Sequence, residues 1–272
     1  MLSYIFSWLK WGKNEMQRNY GWIRDWQDET SPLPHHTFVI PSHQSAIQSV
    51  DLKSLMPPVY DQGTLGSCSA NALACCYQFD QMKQKEPNPF TPSRLFIYYN
   101  ERKKEGHVDV DSGAELKDGV NCLTEVGVCE ESLWPYDITR FAQDPPNNCY
   151  DVAKTHRCST YRKIDQNIQQ IKQALIEGFP IAFGIIVYES FESSQVSSSG
   201  FVPLPKVGSE KVLGGHAIVL TSFDDNYNMF GFRNSWGESW GSKGYGYLPY
   251  EYVLNPNLAG DFWILTQVND NL

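Results

Sequence analysis

Three short stretches hold the side chains able to do nucleophilic chemistry. In Gln62-Gly63-Thr64-Leu65-Gly66-Ser67-Cys68-Ser69-Ala70-Asn71-Ala72, a glycine-rich turn delivers a cysteine to the start of an apolar segment. A cysteine at a helix N-terminus faces unpaired amide N–H groups and the positive end of the helix dipole, which favour the thiolate, the form that attacks carbonyls. The bland alternative for Cys68 is a small buried hydrophobe packing the first helical turn. Two further stretches weigh against it. Gly214-Gly215-His216-Ala217 leads a histidine into a strand-like run, and Asn234-Ser235-Trp236-Gly237 follows another apolar run, with Trp240-Gly241 just beyond. An imidazole takes the proton of a thiol, and an amide oxygen holds the imidazole by its other N–H, so Cys68, His216 and Asn234 suffice for acyl transfer through sulfur.

From about Asp51 to Phe262 the chain resembles the papain and cathepsin family of cysteine proteases. The resemblance rests on Gln62 ahead of Cys68, Gly-Gly-His-Ala at 214–217, and Asn-Ser-Trp-Gly at 234–237 followed by Trp240-Gly241. It implies a cysteine endopeptidase acting on peptides or proteins through a thiolate–imidazolium pair and an acyl-enzyme, with no cofactor and no metal. By the same resemblance Asn234 orients His216, Trp236 shields that contact, and the Gln62 amide with the Cys68 backbone N–H holds the oxyanion. Gly66, Ser67, Gly113, Ala114, Leu116, Gly184, Gly214, Gly215, Ala217 and Trp236 are then the substrate-binding positions. Ala114 would lie on the cleft edge, where substrate backbone pairs as an added strand. Leu116, Gly184, Gly214 and Ala217 would surround the pocket for the side chain preceding the cleaved residue, and that pocket is expected to be roomy and uncharged. Alternatives are a thiol acyltransferase of the same geometry and a noncatalytic peptide binder.

The chain also departs from that family. Leu65 and Ser69 stand where it usually has a cysteine and an aromatic residue, and Asp111-Ser112-Gly113-Ala114 replaces a cysteine followed by Asn-Gly-Gly. An atypical microbial or viral branch without the active-site disulfide is implied, and no long helical propeptide is recognisable.

The elements that must position these residues follow from periodicity. Residues 69–85 read as a helix stopped by Pro87 and Pro89, and Pro92-Ser93 opens a second with Leu95, Phe96, Tyr98 and Tyr99 as core. Leu116, Val120 and Leu123 mark a third helical face ended by Gly127, and Ile168, Ile171, Leu175 and Ile176 a fourth halted at Gly178. Trp134-Pro135-Tyr136 closes the helical lobe, and residues 144–148 read as loop, with the lobe crossing between them and Ile164. Beyond Pro180, residues 181–187, 217–223, 229–232 and 244–248 are short apolar or alternating runs, as in an antiparallel sheet. Helices first and strands afterwards predict a two-lobed α+β fold. The expected division is 1–44 as an N-terminal extension, 45–160 as a helical lobe carrying the nucleophile, and 161–272 as a β lobe carrying the histidine and asparagine, with the cleft between lobes.

At 272 residues and 41% hydrophobic content the chain supports a substantial core, and a net charge of −9 argues against nucleic acid, whose phosphates need a basic face. The aromatic opening of residues 1–11 is too short to span a membrane and lacks signal-peptide features, so membrane contact is not expected and a cytoplasmic setting is favoured. Tyr20-Gly21-Trp22-Ile23-Arg24-Asp25-Trp26 reads as an aromatic strip that docks on its own catalytic domain, with obstruction of the cleft as an extension of that reading. Residues 31–36 read as a linker. Of seven cysteines, Cys149 and Cys158 are close enough in sequence to bridge, or with His156 to hold zinc, and His35, His36 and His43 read as surface residues.

Overall fold

The computed structural model describes residues 18–25, 35–36, 38–40 and 47–269. Helix α1 (Cys68–Lys83) begins at the cysteine itself and is buried from Cys68 to Gln81, which explains a sequence pattern without one clean apolar stripe. Against it pack α2 (Arg94–Glu105) and α3 (Leu116–Glu125). Ser93 caps α2 by accepting from the Phe96 N–H, and Gly106 closes it in the left-handed conformation at φ 81°. The stretch read as loop at 144–148 instead starts a short helix, α4 (Asn147–Ala153), because Pro146 precedes residues free to turn. The next helix, α5 (Ile168–Ile176), is capped by the Asn167 side chain. Two short helices, α6 (Ser194–Ser199) and α7 (Tyr250–Leu254), sit on the sheet lobe.

In chain order the strands are β1 (Trp22–Ile23), β2 (His35–His36), β3 (Ser49–Asp51), β4 (Ala114–Glu115), β5 (Arg157–Ile164), β6 (Ile181–Tyr188), β7 (Val212–Asp224), β8 (Met229–Arg233), β9 (Tyr245–Pro249) and β10 (Ala259–Asn269). The main sheet runs β2-β5-β10-β6-β7-β8-β9, with β3 also on β7. Its pairings are antiparallel except β2 on β5, and a separate two-stranded parallel pair joins β1 to β4. The result is α+β, with a helical lobe set against a mostly antiparallel sheet lobe. The long β7 carries His216, β8 delivers Asn234 just past its end, and α1 carries Cys68 across from them.

All seven cysteines are free and buried. Cys158 Sγ lies 3.4 Å from the Thr160 carbonyl, while Cys149 hydrogen-bonds the Cys129 thiol, so the Cys149–Cys158 bridge does not form. His156 packs against Phe90 in a tilted contact at 4.8 Å, and no group of three or more His, Cys, Asp or Glu among the described residues could hold a metal. His43 lies outside the described residues. No helix among the described residues is long and apolar enough to cross a membrane.

Candidate active site

His216 Nε2 lies 2.8 Å from Asn234 Oδ1, and both side chains are buried. An amide oxygen only accepts, so Nε2 carries the proton and Nδ1 is left as the basic nitrogen. Nδ1 has no hydrogen-bond partner among the described residues. Trp236 stacks on the imidazole at 4.8 Å and 27°, and Phe191 meets it edge-on at 6.4 Å, so the ring is held from two sides. Cys68 is the first residue of α1 and is fully buried, and the backbone amides of Ala217, Gly21 and Ser69 act to lower its pKa. Gln62 links the lobes: its Oε1 accepts from Ser235 Oγ at 2.6 Å, and its Nε2 donates to Leu65 O at 2.9 Å. The second N–H of that amide remains for an oxyanion.

Hydrogen bonds occupy the positions where the resembled family has a disulfide and an aromatic residue. The Gly66 N–H donates to both Asp111 carboxylate oxygens at 3.1 Å, and Tyr98 OH donates to Asp111 Oδ1 at 2.5 Å while accepting from the Gly113 N–H at 3.1 Å. Ser67 Oγ pairs with Tyr136 OH at 2.5 Å, and Tyr136 also donates to Gln62 O at 3.0 Å. Arg94, in a bidentate pair with Glu131 at 2.7 Å, donates to Asn71 Oδ1 and Asp61 O at 3.1 Å. Behind the nucleophile, Ser69 Oγ donates to the buried Glu101 at 2.8 Å. Sequence reading assigned Tyr98 to the core and Tyr136 to the closing of the helical lobe, set Asp111 in the place of the missing cysteine with the turn held by packing and hydrogen bonds, and gave Arg94 and Glu101 no role. For Asp111 the missing cysteine was the available signal.

Residues 18–25 run through the cleft. Ala114 N–H donates to Gly21 O at 2.7 Å, and Trp22 and Ile23 pair with Ala114 and Glu115. A Cβ at Gly21 would lie 1.6 Å from Gly66 O, and one at Gly113 would lie 2.2 Å from Gly21 O, so both contacts need glycine. Tyr20 meets His216 edge-on at 6.1 Å, abuts Gly214, and donates its hydroxyl to Glu192. Trp22 lies on Gly184 and Gly215, and Arg18 stacks over Trp236 at 4.3 Å. Asn19 donates to Asp111 Oδ2 at 2.9 Å. Thus Gly66, Gly113, Ala114, Gly184, Gly214, Gly215 and Trp236 all meet residues 18–22. Ala217, Ser67 and Leu116 are buried in the supporting structure. The pocket beside Gly184, expected to be uncharged, has a carboxylate at its end: Trp22 Nε1 donates to Asp261 Oδ2 at 3.0 Å.

Burial under this cover governs the charges. It pushes the Cys68 thiol up to about 11, against the opposing amide hydrogen bonds, and His216 down to about 4, against the bond to Asn234. Both directions favour the neutral thiol and the neutral imidazole while the segment lies over the site.

Comparison with known proteins agrees with this geometry. Residues 46–255 match the papain family cysteine protease profile. A peptidase C1-like protein of Acanthamoeba polyphaga mimivirus is 47% identical over 77% of this chain and 70% of its own length. Cathepsin K of Gallus gallus is 26% identical over 79% of this chain and 62% of its own length, so the chain spans less than two thirds of that relative. The crystal structure of xylellain, a cysteine protease from Xylella fastidiosa, superposes with a TM-score of 0.82 at 39% identity, covering 93% of this chain and 97% of that one.

Proposed function

This chain belongs to the papain family of cysteine proteases, and from that premise we propose that it is an endopeptidase kept latent by its own residues 18–25. The chemistry is that of a cysteine endopeptidase. Cys68 sulfur attacks the peptide carbonyl carbon as His216 Nδ1 takes the thiol proton. The same nitrogen then protonates the leaving amine, and afterwards draws a proton from the water that hydrolyses the thioester. Asn234 holds Nε2–H throughout, so Nδ1 stays aimed at the reacting atoms. The Cys68 N–H and the remaining Gln62 N–H are the donors for the oxyanion, each worth on the order of 3 kcal/mol.

The observation that carries latency is the seating of Gly21. Its carbonyl is bound by the Ala114 N–H at 2.7 Å, and its α-carbon packs against Gly66 in the nucleophile turn, so the segment lies across the site with that carbonyl engaged by the cleft edge. Gly21→Ala in the full chain tests this, because its Cβ would lie 1.6 Å from Gly66 O and the segment could no longer seat. We expect kcat/KM on a small peptide to rise by about tenfold or more, with faster alkylation of Cys68, since a docking contact this tight forfeits on the order of 1–3 kcal/mol. Unchanged turnover and unchanged alkylation would refute latency.

A further inference from the structure

The outer face of the sheet lobe, away from the cleft, carries a hollow of its own. The registers set Asp51 of β3 opposite Ser222 of β7, Ser222 opposite Gly231 of β8, and Gly231 opposite Tyr247 of β9, one row across four strands. Side chains alternate along a strand, so this row shares one face while Phe223, Phe230 and Leu248 turn into the core. The row dips at Gly231, where a Cβ would lie 2.0 Å from Ser222 Oγ and 3.6 Å from Tyr247 Cε1. The hollow measures about 710 Å³ and also takes in Asp224 and Tyr227. Its two ends differ in chemistry. At one, Phe201 stacks on Tyr247 with centroids 4.8 Å apart and stays 56% exposed. At the other stand Asp51 and Asp224, with the Tyr227 ring at the turn beyond them. Each carboxylate accepts one local backbone N–H, from Lys53 at 2.8 Å and from Asn226 at 2.9 Å, and neither is in an ion pair among the described residues. The neighbouring lysines are engaged elsewhere, Lys172 with Asp225 and Lys53 over the Tyr245 ring at 4.4 Å.

We propose that this hollow is a docking site for an extended segment of a protein substrate, which lays an aromatic side chain against Phe201 and Tyr247 and a lysine or arginine beside Asp51 and Asp224. Membership of the papain family supplies the class of partner, a peptide or protein, and the hollow supplies the chemistry. A carboxylate and an aromatic face both attract a cation. Neighbouring strands lie about 4.8 Å apart, so the carboxylates stand about 12–14 Å from the aromatic end, a distance that an extended peptide covers in about four residues. Residues four apart in an extended chain share a face, so an aromatic and a basic residue at i and i+4 meet both ends at once. Two carboxylates on a protein of net charge −9 favour a cationic partner and oppose a second copy of the same face. From His216 to Ser222 along β7 is a run of about 20 Å, beyond the reach of a short peptide held in the cleft. The hollow therefore selects among long substrates and is indifferent to small ones.

The inference does not depend on whether residues 18–25 inhibit, and its test reads binding without turnover. Full-length Cys68→Ala, which cannot cleave the probe, is titrated into a fluorescent peptide of glycine and serine that carries one phenylalanine and one lysine four positions apart. Control peptides place the pair two or three positions apart, or replace the lysine by glutamine. We expect the four-apart peptide to bind about threefold or more tightly than every control, with a Kd that rises as salt is added. Phe201→Ala should raise that Kd by about threefold or more. Asp51→Asn/Asp224→Asn keeps both local acceptors, so the strand and the turn stay in place; it should raise the Kd by about threefold or more and abolish the salt dependence. In the enzyme that retains Cys68, the same substitutions should raise KM for a protein carrying the phenylalanine and lysine pair and leave kcat/KM on a short peptide unchanged. No binding up to about 1 mM, a Kd indifferent to spacing, or a Kd that neither substitution changes overturns the proposal. So does self-association of the full-length protein that Phe201→Ala abolishes, which would give this face to a second copy.

Discussion

At the scale of single residues, burial sets the chemistry as much as identity does. Cys68, His216 and Asn234 are the groups their types announce, yet the state of the first two is decided by what lies over them. Glu101 acts from behind. It is fully buried, accepts from Ser69 beside the nucleophile, and has its other oxygen, Oε1, without a hydrogen-bond partner among the described residues. Burial raises its carboxyl to about 8, well above the usual carboxylate range. The folded protein therefore binds this proton more tightly than the unfolded chain does. The stability it confers is full below the unfolded pKa and is lost as pH rises toward the folded one. Glu101→Gln keeps an acceptor for Ser69 and removes the titration. Its thermal stability relative to the parent should improve progressively from pH 5 to about 8 and then level off, by on the order of a few kcal/mol at the plateau. A difference that does not change with pH would show that Glu101 is not held protonated. An ionised Glu101 raises the Cys68 pKa, so the substitution should not impair thiolate formation.

At the scale of elements, the turn before α1 is fastened without a covalent bond. Asp111 receives the Gly66 N–H and the Tyr98 hydroxyl, tying the nucleophile turn to α2 and to the cleft edge at Gly113. Because Asn19 binds the same carboxylate, Asp111→Ala alone would loosen both the turn and the cover. In an Asn19→Ala background the two effects separate. There, Asp111→Ala should lower kcat by about tenfold or more while leaving KM nearly unchanged, and Asp111→Asn, which keeps an acceptor, should recover most of the loss. Equal kcat for Asn19→Ala and the double variant would assign the turn's geometry to packing instead. With every cysteine free, this activity should be obtained without oxidative folding. Periodicity made α1, α2, α3 and α5 legible. It did not reveal β5, whose Arg157, Ser159, Thr160, Arg162 and Lys163 mask the alternation, nor β10, whose run of apolar residues between β5 and β6 carries no period.

At the scale of the molecule, a segment tethered to its own site faces it at an effective concentration of about millimolar. For residues 18–25 to hold the cleft closed in the full chain, the corresponding free peptide must inhibit the Gly21→Ala variant with a Ki below about 1 mM. An inhibition constant well above that would mean that tethering alone does not keep the site covered, and that other parts of the chain contribute. The amino-acid sequence by itself pointed to the candidate catalytic set and determined the α+β order of elements, because both are written in local terms: a nucleophile at a helix start, glycines and tryptophans around a histidine and an asparagine, and a change of period after Pro180. What only the tertiary structure decided are contacts between residues remote in the chain. Gly66 meets Asp111 across 45 positions, and Trp22 meets Asp261 across 239. No window of sequence contains both partners of such a pair, and a glycine, an aspartate or a tryptophan taken alone has many possible neighbours. The fastening of the nucleophile turn, the cover over Cys68 and the acid at the end of the Trp22 pocket therefore became visible only once the two lobes had closed on one another.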